Sequence, residues 1–413
     1  MATIIDEAVA TWGVTGRRVL VLIPDRTRTA PMPLMYRNLS ASLSRHGAAK
    51  VTWLVALGTH RPLSREELEN HLGTLLDHDR RDRFGAEVVN HAFRAEGLLE
   101  CGSIDPATVR GLSAGLLDER VAVRCNALVG EHDVAIVCGP VFPHEVVGFS
   151  GGNKYLYPGI SGPEMINSSH WLGALITSSA IIGAPGTTPV RALIDAAAAI
   201  TPIERRCLAF VVPPVAPDAT GATLAAADLC ALFAGDCDDA WSDAAAISAE
   251  VHVRRLDRPV ARALACVPHR YEDLWTGAKG VYKVEPVVAD GGELVLYAPH
   301  ITACATEHGG AIEEIGYHCR DYFLAQPERF AHVARGVIAH STHVRGPGTY
   351  DAARGIERGR IAVTLATGIG PQQCAAMNVG YLDPAGIDRG AFAATGALVI
   401  EHAGETLYRL AAS

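Results

Sequence analysis

The chain has 413 residues, a formal net charge of −9 and a hydrophobic fraction of 49%. This size and composition predict a globular protein of two or three domains, and the acidic balance argues against nucleic acid as a partner. We find no signal peptide, no membrane-length apolar run and no CxxC pair among the ten cysteines. The sequence therefore predicts a cytoplasmic protein with reduced thiols and no membrane partner.

The first predicted strand covers Arg18–Pro24 (RVLVLIP) and runs directly into a polar segment. That segment contains Asp25 and Arg28. A guanidinium presents a planar fork of donors, so Arg28 is suited to binding a carboxylate or a phosphate. The alternatives are ordinary: Asp25 as a helix cap and Arg28 as a solvated side chain.

The second predicted strand, Lys50–Leu57 (KVTWLVAL), ends at a segment that contains His60 and Arg61. His60 is a candidate general base and Arg61 a second candidate anion-binding residue, although either could simply occupy a solvated turn. Two strands thus deliver polar clusters to the same edge of one predicted sheet, where open α/β sheets bind ligands.

A third predicted strand, Asp133–Gly139 (DVAIVCG), leads into a glycine-rich loop that ends at Lys154. Gly151 and Gly152 would let backbone N–H groups approach an anion, and the lysine adds positive charge. The spacing differs from that of a P-loop, because Tyr155 follows the lysine where Ser or Thr is required. A tight turn with a solvated lysine is the structural alternative.

The rest of the chain alternates predicted strands and helices, which is typical of largely parallel sheets. A break near Val251–Pro259 separates two such series. The sequence therefore predicts an α/β protein of two lobes with an active-site cleft between them. The predicted domains are residues 1–255, completed by residues 395–413, and residues 256–394. The further predicted elements are strands at Val88, Leu208, Ala261–Val267, Glu293–Ala298, Ile361–Leu365 and Ala397–Glu401, and helices at Pro189–Ile200 and Ala222–Phe233.

Several segments, in this order, resemble the lactate racemase family, which works with a nickel-pincer nucleotide. Together they span most of the chain, so the resemblance is far more specific than a single glycine motif. The matching segments are DRTR at Asp25–Arg28, GTHRP at Gly58–Pro62, PHEVVGFSGGNK at Pro143–Lys154, His170, DLWTGAKG from Asp273, and VADGGELVLYAPH ending at His300.

The resemblance implies that Lys154 carries the pyridinium mononucleotide covalently and that His170 binds the nickel. It also places Asp25, Gly151 and Gly152 at the cofactor, and it implies cofactor-synthesis enzymes as partners. The residue types agree, because neutral imidazole suits nickel and a lysine amine suits an acyl-type attachment. The cofactor would supply the remaining metal ligands.

The implied reaction is the inversion of a 2-hydroxy carboxylate by reversible hydride transfer, which makes the protein a racemase or epimerase. The hydrogen on the carbinol carbon is poorly acidic beside a carboxylate, so hydride removal avoids a carbanion. His60 and His144 would take the hydroxyl proton on opposite sides. Arg28, Lys279 and Arg61 would bind the substrate, with the first two holding its carboxylate.

The sequence departs from the lactate enzyme at Trp275 and Thr276, where that enzyme has tyrosine and glutamine, and at Asn153, where it has arginine. All three changes are predicted to lie in the substrate pocket, and the large indole of Trp275 should reshape it. Lactate is therefore not the expected substrate; simple, bulkier, dicarboxylic and sugar acids remain open. Four further histidines are interpreted as loop residues with structural hydrogen bonds: His300, His308, His340 and His343.

Two other classes of function remain open at this stage. A conventional zinc or magnesium hydrolase could use His60, His144, His170 and Asp25 as ligands, but it would leave Lys154 without a task. A noncatalytic organic-anion binding protein could use the arginines and Lys279, but it would not need three histidines in the same cleft.

Overall fold

The computed structural model describes residues 1–93, 97–214 and 228–411, and it confirms an α/β fold with largely parallel sheets. The strands are β1 (Arg18–Ile23), β2 (Lys50–Val55), β3 (Glu87–Asn90), β4 (Leu98–Ile104), β5 (Val121–Asn126), β6 (Val134–Pro140), β7 (Pro143–His144), β8 (Gly148–Phe149), β9 (Glu204–Val211), β10 (Ala231–Gly235), β11 (Val253–Leu256), β12 (Val260–Cys266), β13 (Val288–Ala298), β14 (Gly348–Asp351), β15 (Ile356–Gly359), β16 (Ala362–Thr367), β17 (Gly380–Tyr381), β18 (Leu398–Ile400) and β19 (Leu407–Leu410).

Helices cover the sheets and connect their strands. They are α1 (Ala2–Thr11), α2 (Met32–Arg45), α3 (Arg65–Leu72), α4 (Pro106–Leu112), α5 (Leu128–Glu131), α6 (Pro163–Ile176), α7 (Ser178–Ile181), α8 (Pro189–Ala199), α9 (Cys237–His252), α10 (Leu274–Gly277), α11 (Lys279–Tyr282), α12 (Gly309–Ile315), α13 (Arg320–Leu324), α14 (Arg335–Arg345), α15 (Pro371–Ala376) and α16 (Arg389–Ala394), with 3-10 turns at Gly152–Tyr155, Glu285–Val287 and Pro384–Gly386. None of the helices in the described ranges has the length and apolar character that crossing a bilayer requires.

The larger sheet has the strand order β10-β9-β6-β1-β2-β3, and its neighbours are parallel except for β10 and β9. Alternate residues of β1 enter different cores: Leu20 and Leu22 pack on one face, and Val19, Val21 and Ile23 on the other. Burial on both faces explains why β1 and β6 read as continuous apolar runs rather than alternating ones.

The strand order reverses beside β1, because β2 lies on one side of it and β6 on the other. At such a switch point the connections leave toward opposite faces of the sheet and open a crevice beyond the carboxyl ends of the strands. The segments that follow β1, β2 and β6 are the three polar clusters predicted from the sequence. The topology therefore brings these clusters to one edge.

The second sheet has the strand order β17-β16-β13-β12-β18, all parallel, and packs over its own apolar core. The predicted role of the chain end stays a prediction, because its two strands pair in different sheets. Residues 395–413 were expected to complete the first domain, but β18 pairs with β12 because Leu398 and Ile400 pack in the second core. The final residues also contact the first half of the chain: the Glu405 carboxylate accepts from the Thr29 hydroxyl, and Arg409 Nη2 donates to the carbonyl oxygens of Ser179 and Ile182.

β11 lies across the predicted domain boundary at residue 255 and pairs with β19. The boundary itself stays a prediction.

The helix predicted at Ala222–Phe233 is wrong for the part of it that the structure describes. Residues 222–227 lie outside the described residues, and Ala231–Phe233 belong to β10, which pairs antiparallel with β9. Pairing with an available sheet edge overrides the weak helical preference of this short alanine-rich run. The other predicted strands and the helix at Pro189 are found.

Candidate active site

One pocket of about 970 Å³, including the part that opens to solvent, lies at the switch point of the larger sheet. The segments after β1, β2 and β6 form one side of it, and α6, α10, α11 and α14 supply the rest. The pocket therefore collects side chains from segments that follow strands of both main sheets. Most of the residues predicted from the sequence line it, namely Asp25, Arg28, His60, His144, Gly151, Lys154, His170, Trp275 and Lys279.

His60 is paired with Asp25 across the carboxyl ends of β2 and β1. Its Nδ1 atom hydrogen-bonds to the Asp25 carboxylate, which also accepts from the backbone N–H of Thr27 at 3.0 Å and from its hydroxyl at 2.6 Å. Burial alone would raise the pKa of Asp25, but the charges of His60 and Arg28 and the hydrogen bonds lower it well below its usual value. An ionised Asp25 holds a proton on Nδ1 of His60, which leaves the Nε2 lone pair free to accept a proton.

His144 has the opposite arrangement. The backbone N–H of Val146 donates to its Nδ1 atom at 3.1 Å, so the neutral ring carries its proton on Nε2. Burial, followed by the positive charge of Lys154, lowers the pKa of His144 well below its usual value. In this form His144 offers a hydrogen-bond donor to an oxygen atom in the pocket. Action as a base requires the proton to move to Nδ1, so its part in proton transfer stays a prediction.

His170 lies on α6, where its Nδ1–H donates to the carbonyl oxygen of Ile166 at 2.7 Å, one helical turn earlier. This bond fixes the tautomer and leaves Nε2 with a free lone pair, which is typical of metal-binding histidines. Burial lowers the pKa of His170 to about 4, so the imidazole is neutral at physiological pH. Among the described residues no three or more His, Cys, Asp or Glu side chains are grouped to hold a metal ion. A metal on His170 would need further ligands from a bound group.

The glycine-rich loop before Lys154 is held from behind by two buried side chains. Arg191 donates to two carbonyl oxygens of the loop at 2.6 and 3.1 Å, and the Trp241 indole N–H donates to a third at 2.9 Å. The Arg191 guanidinium lies 4.1 Å from the centre of that indole ring. Gly151 has φ +90° and ψ −179°, and a Cβ atom there would lie 2.6 Å from Val141 Cγ2. Only glycine suits this position, and the hydrogen bonds from Arg191 and Trp241 hold the loop in this conformation.

The amine of Lys154 is strongly perturbed. Burial, followed by the charge of Arg28, lowers the pKa of Lys154 to about 7. A large fraction of the amine is then unprotonated at neutral pH, which is the state that can attack a carbonyl or acyl group. Lys154 can therefore present a neutral, nucleophilic amine to the pocket at neutral pH.

Two neighbours of Lys154 do not face the pocket. A Cβ atom on Gly152 would lie 3.0 Å from Trp241 Cβ, so this glycine allows close packing behind the loop. Asn153 was predicted to lie in the substrate pocket, and this is wrong: its amide donates to Asp195 at 3.0 Å and Asp238 at 2.9 Å. Successive side chains in a 3-10 turn point about 120° apart, so they cannot all face the pocket with Lys154.

Arg28 and Lys279 provide the positive charge of the pocket. Lys279 begins α11, is only 4% exposed and has its pKa lowered to about 8 by burial, followed by the charge of Arg28. The Arg28 guanidinium lies 5.1 Å from the centre of the Phe142 ring. Arg28 follows β1 of the larger sheet and Lys279 follows β12 of the second sheet, so the two side chains enter the pocket from different parts of the fold and could bind one carboxylate together.

The structure does not place Arg61 and Thr276 in this pocket. Both line a neighbouring pocket of about 1030 Å³, which shares His60 and Trp275 with the first. The Arg61 guanidinium is occupied by Glu67 at 2.7 Å and Glu272 at 3.1 Å. The Thr276 hydroxyl donates to the Asp273 carboxylate at 2.8 Å at the start of α10. Their predicted contact with substrate is therefore not supported by the geometry.

Sequence reasoning missed two charged residues at the site. Glu145 lines the pocket; burial alone would raise its pKa, but the charges of Lys279 and Arg28 lower it, so it is ionised. Lys283 is 1% exposed, donates to the Glu405 carbonyl oxygen at 3.0 Å and has its pKa lowered to about 7 by burial. A signal was present, because the chain has only four lysines, at positions 50, 154, 279 and 283.

His340 and His343 also line the pocket, although they were interpreted as structural loop histidines. They lie on α14, three residues apart and therefore on one helical face. The His340 ring stacks on Trp275 with ring centres 4.1 Å apart. His308 contacts the same indole and lines the neighbouring pocket, whereas His300 bonds to the Tyr271 carbonyl oxygen outside both pockets.

Comparison with known proteins agrees with this geometry. The family described as the lactate racemase N-terminal domain matches residues 4–183. The lactate racemase of Lactiplantibacillus plantarum is 28% identical over 156 residues, which is 37% of this chain and 32% of that protein. The lactate racemase of Thermoanaerobacterium thermosaccharolyticum is 25% identical over 302 residues, 71% of this chain and 62% of that one. The matched regions thus span about a third and three fifths of these relatives.

Solved structures extend the likeness to almost the whole chain. A crystal structure of a Thermotoga maritima protein matches with a TM-score of 0.88 and 30% identity, covering 99% of this chain and 98% of that one. The lactate racemase apoprotein of T. thermosaccharolyticum has the same fold, with a TM-score of 0.72, 18% identity and coverage of 99% and 92%. The family match over residues 4–183 and the curated relatives show that this chain belongs to the lactate racemase family, whose fold it shares.

Proposed function

We propose that the protein is a racemase or epimerase that inverts the carbinol carbon of a 2-hydroxy carboxylate, using a nickel-pincer nucleotide attached covalently to Lys154. The observation that carries this proposal is the composition of one pocket. It holds a lysine amine with a lowered pKa, a histidine with a free Nε2 atom and the two cationic side chains of Arg28 and Lys279. Membership of the lactate racemase family supports the same type of reaction.

The residues present fit this cofactor. Lys154 offers the amine for attachment, and His170 offers one nitrogen ligand whose tautomer is fixed by Ile166. A single protein ligand is sufficient only if the bound group supplies the others, as the pincer does. When bound, the nickel-pincer nucleotide supplies a hydride acceptor beside the substrate. Gly151 lines the pocket and allows the backbone conformation of the loop that presents Lys154.

The side chains of the pocket then have separate tasks. Arg28 and Lys279 bind the substrate carboxylate and orient the carbinol carbon. As hydride leaves that carbon, Nε2 of His60 accepts the hydroxyl proton, and the Asp25 carboxylate stabilises the imidazolium that forms. The product of this half-reaction is a 2-keto acid, which stays bound through its carboxylate.

Inversion requires the keto acid to expose its other face before hydride returns to the same carbon. The carboxylate held by Arg28 and Lys279 is the natural pivot for this rotation. His144 is the proposed partner of the oxygen atom on the other side, and its Nε2–H can donate to the ketone oxygen. For a full exchange of roles with His60, His144 must shift its proton to Nδ1 and give up the bond from Val146.

A zinc or magnesium hydrolase remains the main competing function, and the geometry disfavours it. Asp25 is occupied as the hydrogen-bond partner of His60, and Nε2 of His144 carries a proton. In the part of the chain that the structure describes, no three or more His, Cys, Asp or Glu side chains are grouped as such a metal site would require. Metal analysis separates the functions, because nickel is expected here and zinc or magnesium in the alternative. A noncatalytic anion-binding protein would carry neither metal nor adduct.

The proposal is tested by producing the protein together with cofactor-synthesis enzymes, then measuring its intact mass, its nickel content and the mass of the peptide that contains Lys154. The expected result is a covalent adduct on that peptide, lost in Lys154→Ala and in Lys154→Arg, because a guanidinium stays protonated and is a poor acyl acceptor. Lys50→Ala is the matched control, since Lys50 is exposed at the start of β2. An adduct of unchanged mass on Lys154→Ala would disprove the attachment site.

A further inference from the structure

Helix α14 presents two histidines whose outer nitrogen atoms are unused. His340 and His343 line the pocket and are only 5% and 4% exposed. Within the described residues, Nε2 of each has no hydrogen-bond partner although both atoms are buried. Buried polar atoms are nearly always paired in folded proteins. Two unpaired nitrogens on one helical face of a ligand pocket therefore indicate groups that a ligand completes.

The His340 ring is held in place by its neighbours. Its Nδ1 atom is 3.1 Å from the hydroxyl oxygen of Tyr282, and its face stacks on Trp275. These contacts fix the ring on one side and leave Nε2 on the other. Tyr282 also packs edge-on against His343, with ring centres 5.9 Å apart. One tyrosine of the pocket wall thus orients both imidazoles.

The ligand group that fits these nitrogens is a hydroxyl. A neutral imidazole has one donor and one acceptor nitrogen, and a hydroxyl can pair with either, whereas a carboxylate can only accept. Burial lowers the pKa of His343 to about 4 and that of His340 well below its usual value, so neither ring carries charge at neutral pH. The ionised Glu145 lies in the same pocket and acts electrostatically on His343, which disfavours a second carboxylate there.

The aromatic alternative is also disfavoured. An aromatic substrate side chain would stack best on Trp275, but two imidazoles already pack on that indole. His340 lies 4.1 Å from it and His308 lies 4.7 Å from it, measured between ring centres. This part of the pocket therefore offers polar edges rather than a free aromatic face.

We propose that His340 and His343 recognise a hydroxyl group beyond the carbinol carbon, so that the preferred substrate is a polyhydroxy acid. Arg28 and Lys279 would bind the carboxylate at one end of the substrate. The two histidines of α14 would hydrogen-bond to a hydroxyl group at the other end. This inference rests on the proposed function for the position of the carboxylate. It identifies the two histidines as specificity-determining residues, separate from the proton-transfer pair.

The test compares three four-carbon acids that differ only beyond the carbinol carbon: threonate, which carries further hydroxyls, 2-hydroxybutanoate, which has none, and malate, which ends in a second carboxylate. Affinity is measured by calorimetry, and stereochemical inversion by chiral chromatography, on protein produced with the cofactor-synthesis enzymes. The variants are His340→Phe and His343→Phe, which keep a ring but remove its nitrogens. His340→Gln and His343→Gln retain hydrogen bonding if the phenylalanine variants fold poorly.

His300→Phe is the matched control, because His300 is a histidine on the same half of the chain that lines neither pocket. The wild-type protein should prefer threonate over 2-hydroxybutanoate by roughly 10- to 100-fold, the effect of leaving buried polar groups unpaired. Each phenylalanine variant should lose most of this preference, because its affinity for threonate falls much more than its affinity for 2-hydroxybutanoate. The glutamine variants should recover part of it, and the control should retain all of it.

The inference is overturned if the wild-type protein shows no preference, if malate binds best, or if the phenylalanine variants weaken threonate and 2-hydroxybutanoate equally. The two measurements also separate this inference from the proposed function. Binding preference that depends on the histidines, without inversion of any acid, would support the hydroxyl site and refute the racemase. Inversion without such a preference would support the racemase and refute the hydroxyl site.

Discussion

The amine of Lys154 is expected to react with a limiting amount of an acylating reagent at neutral pH, before any cofactor is attached. Its lowered pKa has two main causes, burial in the pocket and the charge of Arg28. Substitution Arg28→Gln removes the second cause and leaves the first. The pH at which Lys154 becomes reactive should therefore rise in that variant.

The expected magnitude follows from the fraction of neutral amine. With a pKa of about 7, roughly half of the Lys154 amines are neutral at neutral pH. An ordinary lysine with a pKa near 10.4 has roughly one neutral amine in 2,500 under the same conditions. A less basic amine is also less nucleophilic, so the net gain in rate is smaller, about 10- to 100-fold.

The assay is a short pulse of an acetylating reagent between pH 6 and pH 10, followed by peptide mass spectrometry of the cofactor-free protein. Lys50 provides the internal control, because it is exposed at the start of β2 and far from the pocket lining. Lys154 should reach half of its maximal rate near neutral pH, while modification of Lys50 continues to rise. If the acetylation rates of both lysines rose in parallel up to pH 10, the pocket would not be activating Lys154. That result would refute the argument from the lowered pKa.

Further predictions concern the loop, the histidines and pH. Gly151→Ala should reduce the free energy of unfolding by about 2–4 kcal/mol in urea titrations, because of its backbone conformation and the 2.6 Å approach to Val141. Gly186→Ala, where a Cβ atom would meet nothing within 4 Å, should cost about 1 kcal/mol; equal losses would argue against a rigid loop. His170→Ala should lose nickel and keep the covalent adduct, whereas His60→Ala should keep both and lose roughly 10²- to 10⁴-fold in turnover; the reverse pattern would exchange their roles. The three lysines near the pocket have pKa values of about 7 to 8 in the folded chain, below the ordinary value near 10.4, so the folded state binds fewer protons than the unfolded state between these limits. The free energy of unfolding of the cofactor-free protein should therefore rise as pH increases from 7 to about 8, below the range in which the buried cysteines, whose pKa values are raised by burial, contribute with the opposite sign. A fall across this window would contradict the burial of uncharged lysines.

Much of the site could be predicted from the sequence because it follows a topological rule. Buried parallel strands are continuous apolar runs, and each of the three runs at Val19, Thr52 and Val134 ends in a polar cluster. The carboxyl ends of parallel neighbours meet at one edge, so Asp25 and His60 come into contact although they are 35 residues apart. No knowledge of side-chain rotamers was needed for that step.

Side-chain direction is what the sequence did not reveal. Asn153 is next to Lys154 in the chain but faces Asp195 and Asp238, because the 3-10 turn rotates it away. Arg61 is next to His60 but is neutralised by carboxylates that approach from α3 and from the segment before α10. Residues that are adjacent in sequence to a site residue therefore do not all belong to the site.

Contributions from distant helices were also missed. The pair His340 and His343 has the spacing of one helical face, but nothing in the local sequence shows which structure that face contacts. The fold supplies this answer through packing against α6, which carries His170. The scarcity of lysine was the more accessible signal, since positions 154, 279 and 283 all lie at or beneath the pocket.

The most direct test of the central claim follows the hydrogen atom on the carbinol carbon. A 2-hydroxy carboxylate that carries deuterium at this carbon is converted by the cofactor-loaded protein, and the product is analysed for configuration and label. The account predicts the opposite stereoisomer with its deuterium retained, and little incorporation of label from D₂O when unlabelled substrate is used. Rapid exchange of that hydrogen with solvent would show proton abstraction instead and would contradict hydride transfer.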